Sequence, residues 1–92
     1  MAEVARTKFV RAGSWTTLES GWNASFTCRF RDPAGAQVKV HYGYGWFSWD
    51  SQKKTLDGTD KNVSVGKASV AYARVQMKVK YDEQVTYVYI PT

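Results

Sequence analysis

The sequence predicts an all-β fold, an antiparallel β-sandwich of immunoglobulin- or fibronectin-like outline with about seven short strands. Apolar residues recur with a period of two along most of the chain, as in strands that are buried on one face. Turn-forming residues interrupt these runs at short intervals, and no capping box precedes an apolar stripe of helical spacing. A small β-barrel is the alternative architecture for such a pattern.

The length of 92 residues predicts one domain over residues 1–92, of which residues 1–6 are expected to be loose. A chain this short has room for a single small core. Its aromatic content of 15% helps to build that core, because large rings cover apolar area efficiently.

The first half of the chain carries four predicted strands. Short strands are expected over residues 7–12 and 15–19, and longer ones over residues 23–32 and 38–44. The inward side chains of the two longer strands include Phe26, Cys28 and Phe30, then Val38, Val40, Tyr42 and Tyr44. Polar and cationic residues alternate with them and are expected to face outward.

The segment Pro33-Ala34-Gly35 predicts a hairpin loop between these two longer strands, since Pro favours an early turn position and Gly accepts a left-handed one. A three-residue loop would place Phe30 opposite Val38 in one sheet. The same register would place Cys28 opposite Val40 and Phe26 opposite Tyr42.

The second half continues the alternation. Strands are expected over residues 52–56, 62–65, 71–80 and 85–90, with turns at Asp57-Gly58, Gly66-Lys67 and Asp82-Glu83. The sequence does not decide which face of the last strand points inward. Either Val88 and Ile90 or Tyr87 and Tyr89 point inward, depending on the length of the preceding turn.

Few features bear on localisation, which stays open. No apolar run reaches the roughly 18 residues that a membrane-spanning helix needs, and the N-terminus lacks the apolar core of a signal peptide. A soluble chain is therefore expected. The single cysteine excludes an internal disulfide.

The residues that could carry catalysis do not assemble into a site, so a non-enzyme without metal or cofactor is expected. Cys28 and His41 fall on opposite faces of their strands, which separates the one possible nucleophile from its base. One Cys and one His cannot complete a zinc site. The segment at 57–60 is too short for a calcium loop, and Gly43-Tyr44-Gly45 opens no helix that could bind phosphate.

The stretch at residues 43–50, GYGWFSWD, holds more rings than strand alternation can bury. Because neighbouring residues in an extended chain point to opposite sides, Trp46 and Phe47 cannot both enter the core. Exposed aromatic residues are common anchors at binding surfaces. The leading hypothesis is therefore a recognition module whose aromatic loop, residues 44–49, binds a carbohydrate, a lipid surface or a protein partner.

The residues predicted for this site are Tyr44, Trp46, Phe47, Trp49, Asp50 and Gln52. In the carbohydrate version, Trp46 and Trp49 stack on sugar rings, while Asp50 and Gln52 bind hydroxyl groups. No motif in the chain is specific to one family.

A net charge of +5 supports an alternative, single-stranded nucleic-acid binding by a basic, Tyr-containing sheet face. The cations predicted for that face are Arg29, Arg31, Lys39, Arg74 and Lys78. A third possibility is a structural subunit that self-associates through an open strand edge, with the oligomeric state left open.

Overall fold

The computed structural model of the chain describes residues 3–22, 25–66 and 72–91. These ranges form eight strands in two antiparallel sheets of four, which confirms the predicted β-sandwich and not the barrel. They hold no helix that could span a membrane. The strands are β1 (Val4–Val10), β2 (Thr16–Trp22), β3 (Phe26–Phe30), β4 (Gln37–Tyr44), β5 (Phe47–Thr55), β6 (Lys61–Val65), β7 (Tyr72–Lys78) and β8 (Glu83–Pro91).

The strand order is that of a jelly roll, and so differs from the immunoglobulin-like outline that the sequence suggested. The first sheet has the order β1-β8-β3-β6 and the second has β2-β7-β4-β5. Each strand of the first half pairs with one of the second half: β1 with β8, β2 with β7, β3 with β6 and β4 with β5. Paired residues lie nearly equally far before and after Trp46. The chain is thus one long antiparallel ribbon wound into two layers.

The predicted hairpin between β3 and β4 is wrong, because these strands lie in different sheets. Cys28 pairs with Val63 and Tyr89 instead of Val40. The turn itself is present, since Gly35 has a φ of +89° and the Ala36 amide donates to the Pro33 carbonyl at 3.1 Å. It leads the chain across the sandwich. Strands β7 and β8 also lie in different sheets, so no hairpin forms at Asp82-Glu83.

The predicted inward and outward positions of most side chains are correct although the predicted strand pairing is wrong. The fully or almost fully buried core draws on both sheets: Val10, Leu18, Phe26, Cys28, Phe30, Ala36, Val38, Val40, Leu56, Val63, Val65, Ala73, Val75, Met77, Val79, Val85 and Tyr87. Burial of Val85 and Tyr87 settles the last strand, whose Tyr residues face inward.

Several strands begin at other residues than the sequence predicts. Strand β1 begins at Val4, so residues 4–6 are paired with β8 where the sequence suggested a loose segment. Strand β5 begins at Phe47, five residues before the predicted start at 52. Residues 1, 2, 23, 24 and 71, and Lys67 of one predicted turn, lie outside the described ranges.

One open side of the sandwich is closed by charged residues that point inward from the edge strands. The Arg6 guanidinium donates to both oxygens of Glu19 at 3.0 Å, and the Lys8 ammonium donates to the Leu18 carbonyl at 2.6 Å. The buried Tyr87 hydroxyl also donates to Glu19, at 2.5 Å. These contacts join β1 to β2 and place charge at both edges, which disfavours pairing with another strand.

The turn at the centre of the ribbon yields the first prediction. Gly45 has a φ of +58°, and nothing lies within 4 Å of the position where a Cβ would be. Replacing Gly45 with Ala should therefore cost about 1–2 kcal/mol through backbone strain alone. Chemical denaturation measures this. Gly43→Ala is the matched control, because Gly43 has the same open surroundings without a positive φ. The free energy of unfolding of the Gly43→Ala variant should differ little from that of the wild type. Equal effects of the two substitutions would contradict the strained turn.

Candidate functional site

The aromatic stretch forms a hairpin, whereas the sequence suggested a loop over residues 44–49. Tyr44 pairs with Phe47, which leaves Gly45 and Trp46 as a two-residue turn. A positive φ at the first turn residue is what a type II′ hairpin requires. The Gly-X signal flanked by alternating rings is present in the sequence and could have predicted this turn.

Four rings of this hairpin share one face. Residues directly opposite each other in an antiparallel pair project to the same side, and Tyr42 lies opposite Trp49 just as Tyr44 lies opposite Phe47. The rings of Tyr42 and Trp49 stack with centroids 5.4 Å apart and planes tilted by 17°. This face continues the inward face of β4, which carries Val38 and Val40.

Burial decreases along this face toward the turn. Val38 and Val40 are fully buried, and Tyr42 packs partly against the core. Beyond it, Tyr44 is 50% exposed, Trp49 47%, Phe47 72% and Trp46, in the turn itself, 100%. The hairpin therefore extends past the layer that covers the core. We call Tyr44, Trp46, Phe47 and Trp49 the aromatic tip.

The side chains of the aromatic tip make no hydrogen bond or ion pair within the described ranges. The indole N–H groups of Trp46 and Trp49 and the hydroxyl of Tyr44 are thus free to bond with water or with a partner. The prediction that Trp46 and Phe47 cannot both enter the core is confirmed, since both are exposed.

Asp50, predicted to bind ligand hydroxyls beside Trp49, lies on the opposite face of the hairpin. His41 Nδ1 donates to Asp50 Oδ1 at 2.7 Å, and the Lys39 ammonium donates to Oδ2 at 3.0 Å. These two bonds, that of His41 first, lower the pKa of the Asp50 carboxyl. Lys39 is only 8% exposed and also lies 4.2 Å from the centroid of the Trp15 ring. Asp50 thus compensates a nearly buried cation.

Gln52 is likewise separated from the rings. It sits at a bulge with a φ of +57°, and its side-chain amide bonds with the backbone of Ser64 in β6. The Gln52 amide N–H donates to the Ser64 carbonyl at 2.5 Å, and the Ser64 N–H donates back at 2.8 Å. The Lys54 ammonium donates to the Asn62 carbonyl at 2.5 Å. Gln52 and Lys54 therefore cap the edge of β6 and close the second open side of the sandwich.

A cleft of about 250 Å³ opens on the outer face of the second sheet, behind the aromatic tip. Its lining residues are Trp22, His41, Gly43, Gly45, Tyr72 and Arg74. We call it the outer cleft. Strand register explains the grouping, because Tyr72 pairs with both Trp22 and Gly43, and Arg74 pairs with His41. Nothing in the sequence pattern singles out Trp22, since its partner Tyr72 lies far away along the chain.

The five cations predicted to form one basic face are dispersed. Arg29 lies in the first sheet and pairs with Glu3 at 2.9 Å, which raises the pKa of the guanidinium. Arg31, after β3, donates to the Gly58 carbonyl at 3.0 Å. Lys39 is nearly buried, so only Arg74 and Lys78 remain as exposed cations on one face. The cations are dispersed because the predicted basic face assumed a β3–β4 hairpin, whereas these two strands lie in different sheets.

Cys28 and His41 do not meet. Cys28 is buried in the core of the first sheet, while His41 is on the outer face of the second. Burial, and then the Glu19 charge, raises the pKa of the Cys28 thiol to about 12. The thiol is therefore neutral and unavailable as a nucleophile. The described ranges also hold no cluster of side chains that could bind a metal ion.

Comparisons with protein-family models, curated proteins and solved structures found no match to this chain. Its own geometry is therefore the basis for inferring a function.

The Asp50 cluster yields the second prediction. Replacing Asp50 with Asn removes the charge beside nearly buried Lys39, and should lower the free energy of unfolding by about 1 kcal/mol, since Asp50 is itself half exposed. Because the folded-state pKa of Asp50 is lowered, its contribution is full above the unfolded value of about 3.9 and is lost as the pH falls through the folded value.

Denaturation of wild type and variant at a series of pH values measures this difference. Asp60→Asn is the control, because the exposed Asp60 side chain makes no hydrogen bond or ion pair within the described ranges, and its charge acts on Arg29 only at a distance. If the free energies of unfolding of the wild type and Asp50→Asn differ by the same amount at acid and neutral pH, the result would count against the Asp50 cluster.

Proposed function

We propose that the protein is a non-catalytic recognition module that attaches to an anionic lipid surface through the aromatic tip. The observation that carries this proposal is the exposure of four large rings on one short hairpin, with Trp46 fully exposed. Contiguous exposed apolar surface of this kind marks interaction sites in folded proteins.

The shape and chemistry of the tip favour a lipid surface. Trp and Tyr are enriched at membrane–water interfaces, where an apolar ring enters the acyl boundary and a polar atom stays among the headgroups. The free indole N–H groups of Trp46 and Trp49 and the hydroxyl of Tyr44 fit that arrangement. The tip is also a projection at one end of the molecule, and a projection can enter an interface without burying the rest of the protein.

Charge supports an anionic surface in particular. The chain carries a net charge of +5, and each basic residue near an anionic leaflet contributes roughly 1 kcal/mol. Asp50, the carboxylate in the hairpin, forms an ion pair with Lys39 and a hydrogen bond with His41. It therefore adds little repulsion to the approach of the tip to a negative surface.

The other candidate ligands have less support. A carbohydrate site needs polar groups beside the rings, and Asp50 and Gln52 are held elsewhere by His41, Lys39 and Ser64. Self-association through a strand edge is disfavoured by the capped edge of β6 and the inward charges of β1. Of its five predicted cations, the nucleic-acid alternative keeps only Arg74 and Lys78 exposed on one common face.

Vesicle sedimentation tests the proposal. We expect the wild type to bind phosphatidylcholine vesicles that contain phosphatidylglycerol, more tightly at low than at high salt. Trp46→Ser combined with Phe47→Ser should reduce binding about a hundredfold or more, since two rings at ~1.5–3 kcal/mol each contribute ~3–6 kcal/mol. Tyr81→Ser is the matched control, since Tyr81 is 75% exposed and follows the far end of β7.

Two results would contradict the proposal. One is an equal loss of binding in the tip variant and in Tyr81→Ser. The other is no vesicle binding by the wild type. If the wild type is then a dimer that the tip substitutions dissociate in sedimentation velocity, the rings belong to a contact with a second copy of the chain.

A further inference from the structure

The outer cleft lies directly behind the aromatic tip. Gly45 lines it, and the same residue begins the turn that carries Trp46. A lipid surface that receives the tip would therefore bring its headgroups to the mouth of this cleft. The cleft is slightly smaller than the ~300 Å³ lower bound of typical ligand sites, which suits a compact headgroup.

Arg74 supplies the cleft with a cation. It forms no ion pair within the described part of the chain, and its guanidinium lies 5.3 Å from the centroid of the Tyr72 ring. The Tyr72 hydroxyl in turn donates to the Ser20 hydroxyl at 3.1 Å, which fixes the ring. Stacking on a fixed ring restrains the guanidinium but leaves its N–H groups free. A planar guanidinium with free donors is suited to binding phosphate oxygens in pairs.

The remaining charged groups of the cleft do not oppose an anion. His41 lies beside Arg74 across the strand pair and uses Nδ1 to donate to Asp50, so its Nε2 remains available. Both oxygens of Asp50 are bonded, one to His41 and the other to Lys39. The carboxylate nearest the cleft is thus compensated, and Arg74 dominates the local charge.

Two glycines leave the floor of the cleft open. No atom lies within 4 Å of the position that a Cβ would take at Gly43 or at Gly45. A ligand can therefore approach the backbone between the wall formed by Trp22 and Tyr72, whose ring centroids are 6.5 Å apart, and the end of the hairpin. Trp22 is 56% exposed, so its ring can cover the apolar carbons of a bound polyol.

We propose that the outer cleft binds a glycerol-phosphate group, as carried by the headgroup of an anionic phospholipid, with Arg74 contacting the phosphate and Trp22 covering the glycerol carbons. This inference rests on the proposed attachment of the aromatic tip to lipid for its source of ligand. The binding chemistry itself requires only Arg74, Trp22 and the open glycine floor.

The first test compares two substitutions that remove one positive charge from the same face of β7. Arg74→Gln should weaken binding to phosphatidylglycerol-containing vesicles about tenfold, the loss of one charge-assisted contact. Lys78→Gln, at the far end of the strand, should have a much smaller effect, because the Lys78 side chain makes no hydrogen bond or ion pair in the described ranges and does not line the outer cleft. Arg74→Lys should lie between wild type and Arg74→Gln, because it keeps the charge and loses the planar donors. Equal effects of Arg74→Gln and Lys78→Gln would overturn the site.

The second test needs no vesicles, and so separates this inference from the proposed function. Adding glycerol 3-phosphate should shift the NMR signals of the Gly43 and Gly45 amides and the Trp22 indole, in wild type and in the Trp46→Ser, Phe47→Ser variant alike. Arg74→Gln should abolish these shifts.

The outcomes of the titration are distinct. NMR shifts without vesicle binding would support the ligand site in the outer cleft and contradict the role of the aromatic tip as a lipid anchor. No shifts would overturn the cleft whatever the vesicles show. Equal affinity for inorganic phosphate would overturn the glycerol-phosphate assignment, and tighter binding of a single-stranded oligonucleotide to the same residues would assign the cleft to nucleic acid instead.

Discussion

The fold depends on the pairing of the two halves of the chain about a single turn at Gly45 and Trp46. Because β1 pairs with β8, β2 with β7, β3 with β6 and β4 with β5, this turn is the closed end of one continuous ribbon. Among the described connections it alone joins two strands of the same sheet. The other described connections join strands of different sheets, so the β4–β5 hairpin is where a sheet can extend beyond its opposing layer.

That extension gives the two faces of one hairpin different properties. The inward face would be core if the opposing sheet were longer, and it carries rings that lack a covering layer. The outward face lies beside the beginning of β7 and the end of β2. Tyr72 and Arg74 of β7 and Trp22 of β2 line the outer cleft there. Strand alternation alone separates an apolar contact surface from a cationic one, and it does so within a few residues.

Much of the architecture could be predicted from local pattern. The period of two predicted strands, a sandwich and the buried positions of residues such as Cys28 and Val40, because inward faces are apolar in either sheet. The same pattern cannot say which sheet a strand joins. Phe30 and Val38 are both inward whether they are neighbours in one sheet or lie across the core, so the false β3–β4 hairpin fitted the sequence equally well. Exposure of Trp46 followed from crowding, whereas Trp22 joins the outer cleft only through long-range pairing with Tyr72.

The most direct measurement of the central claim is the accessibility of Trp46 in a variant that retains Trp46 as its single tryptophan, with Phe at Trp15, Trp22 and Trp49. Without vesicles, we expect acrylamide to quench this residue almost as strongly as a free indole, since the ring is fully exposed. With phosphatidylglycerol-containing vesicles, we expect a blue shift of its emission and protection from acrylamide. Protection before vesicles are added would mean that the ring is covered by the protein itself. Emission that is unchanged by vesicles would mean that the tip does not enter the lipid surface.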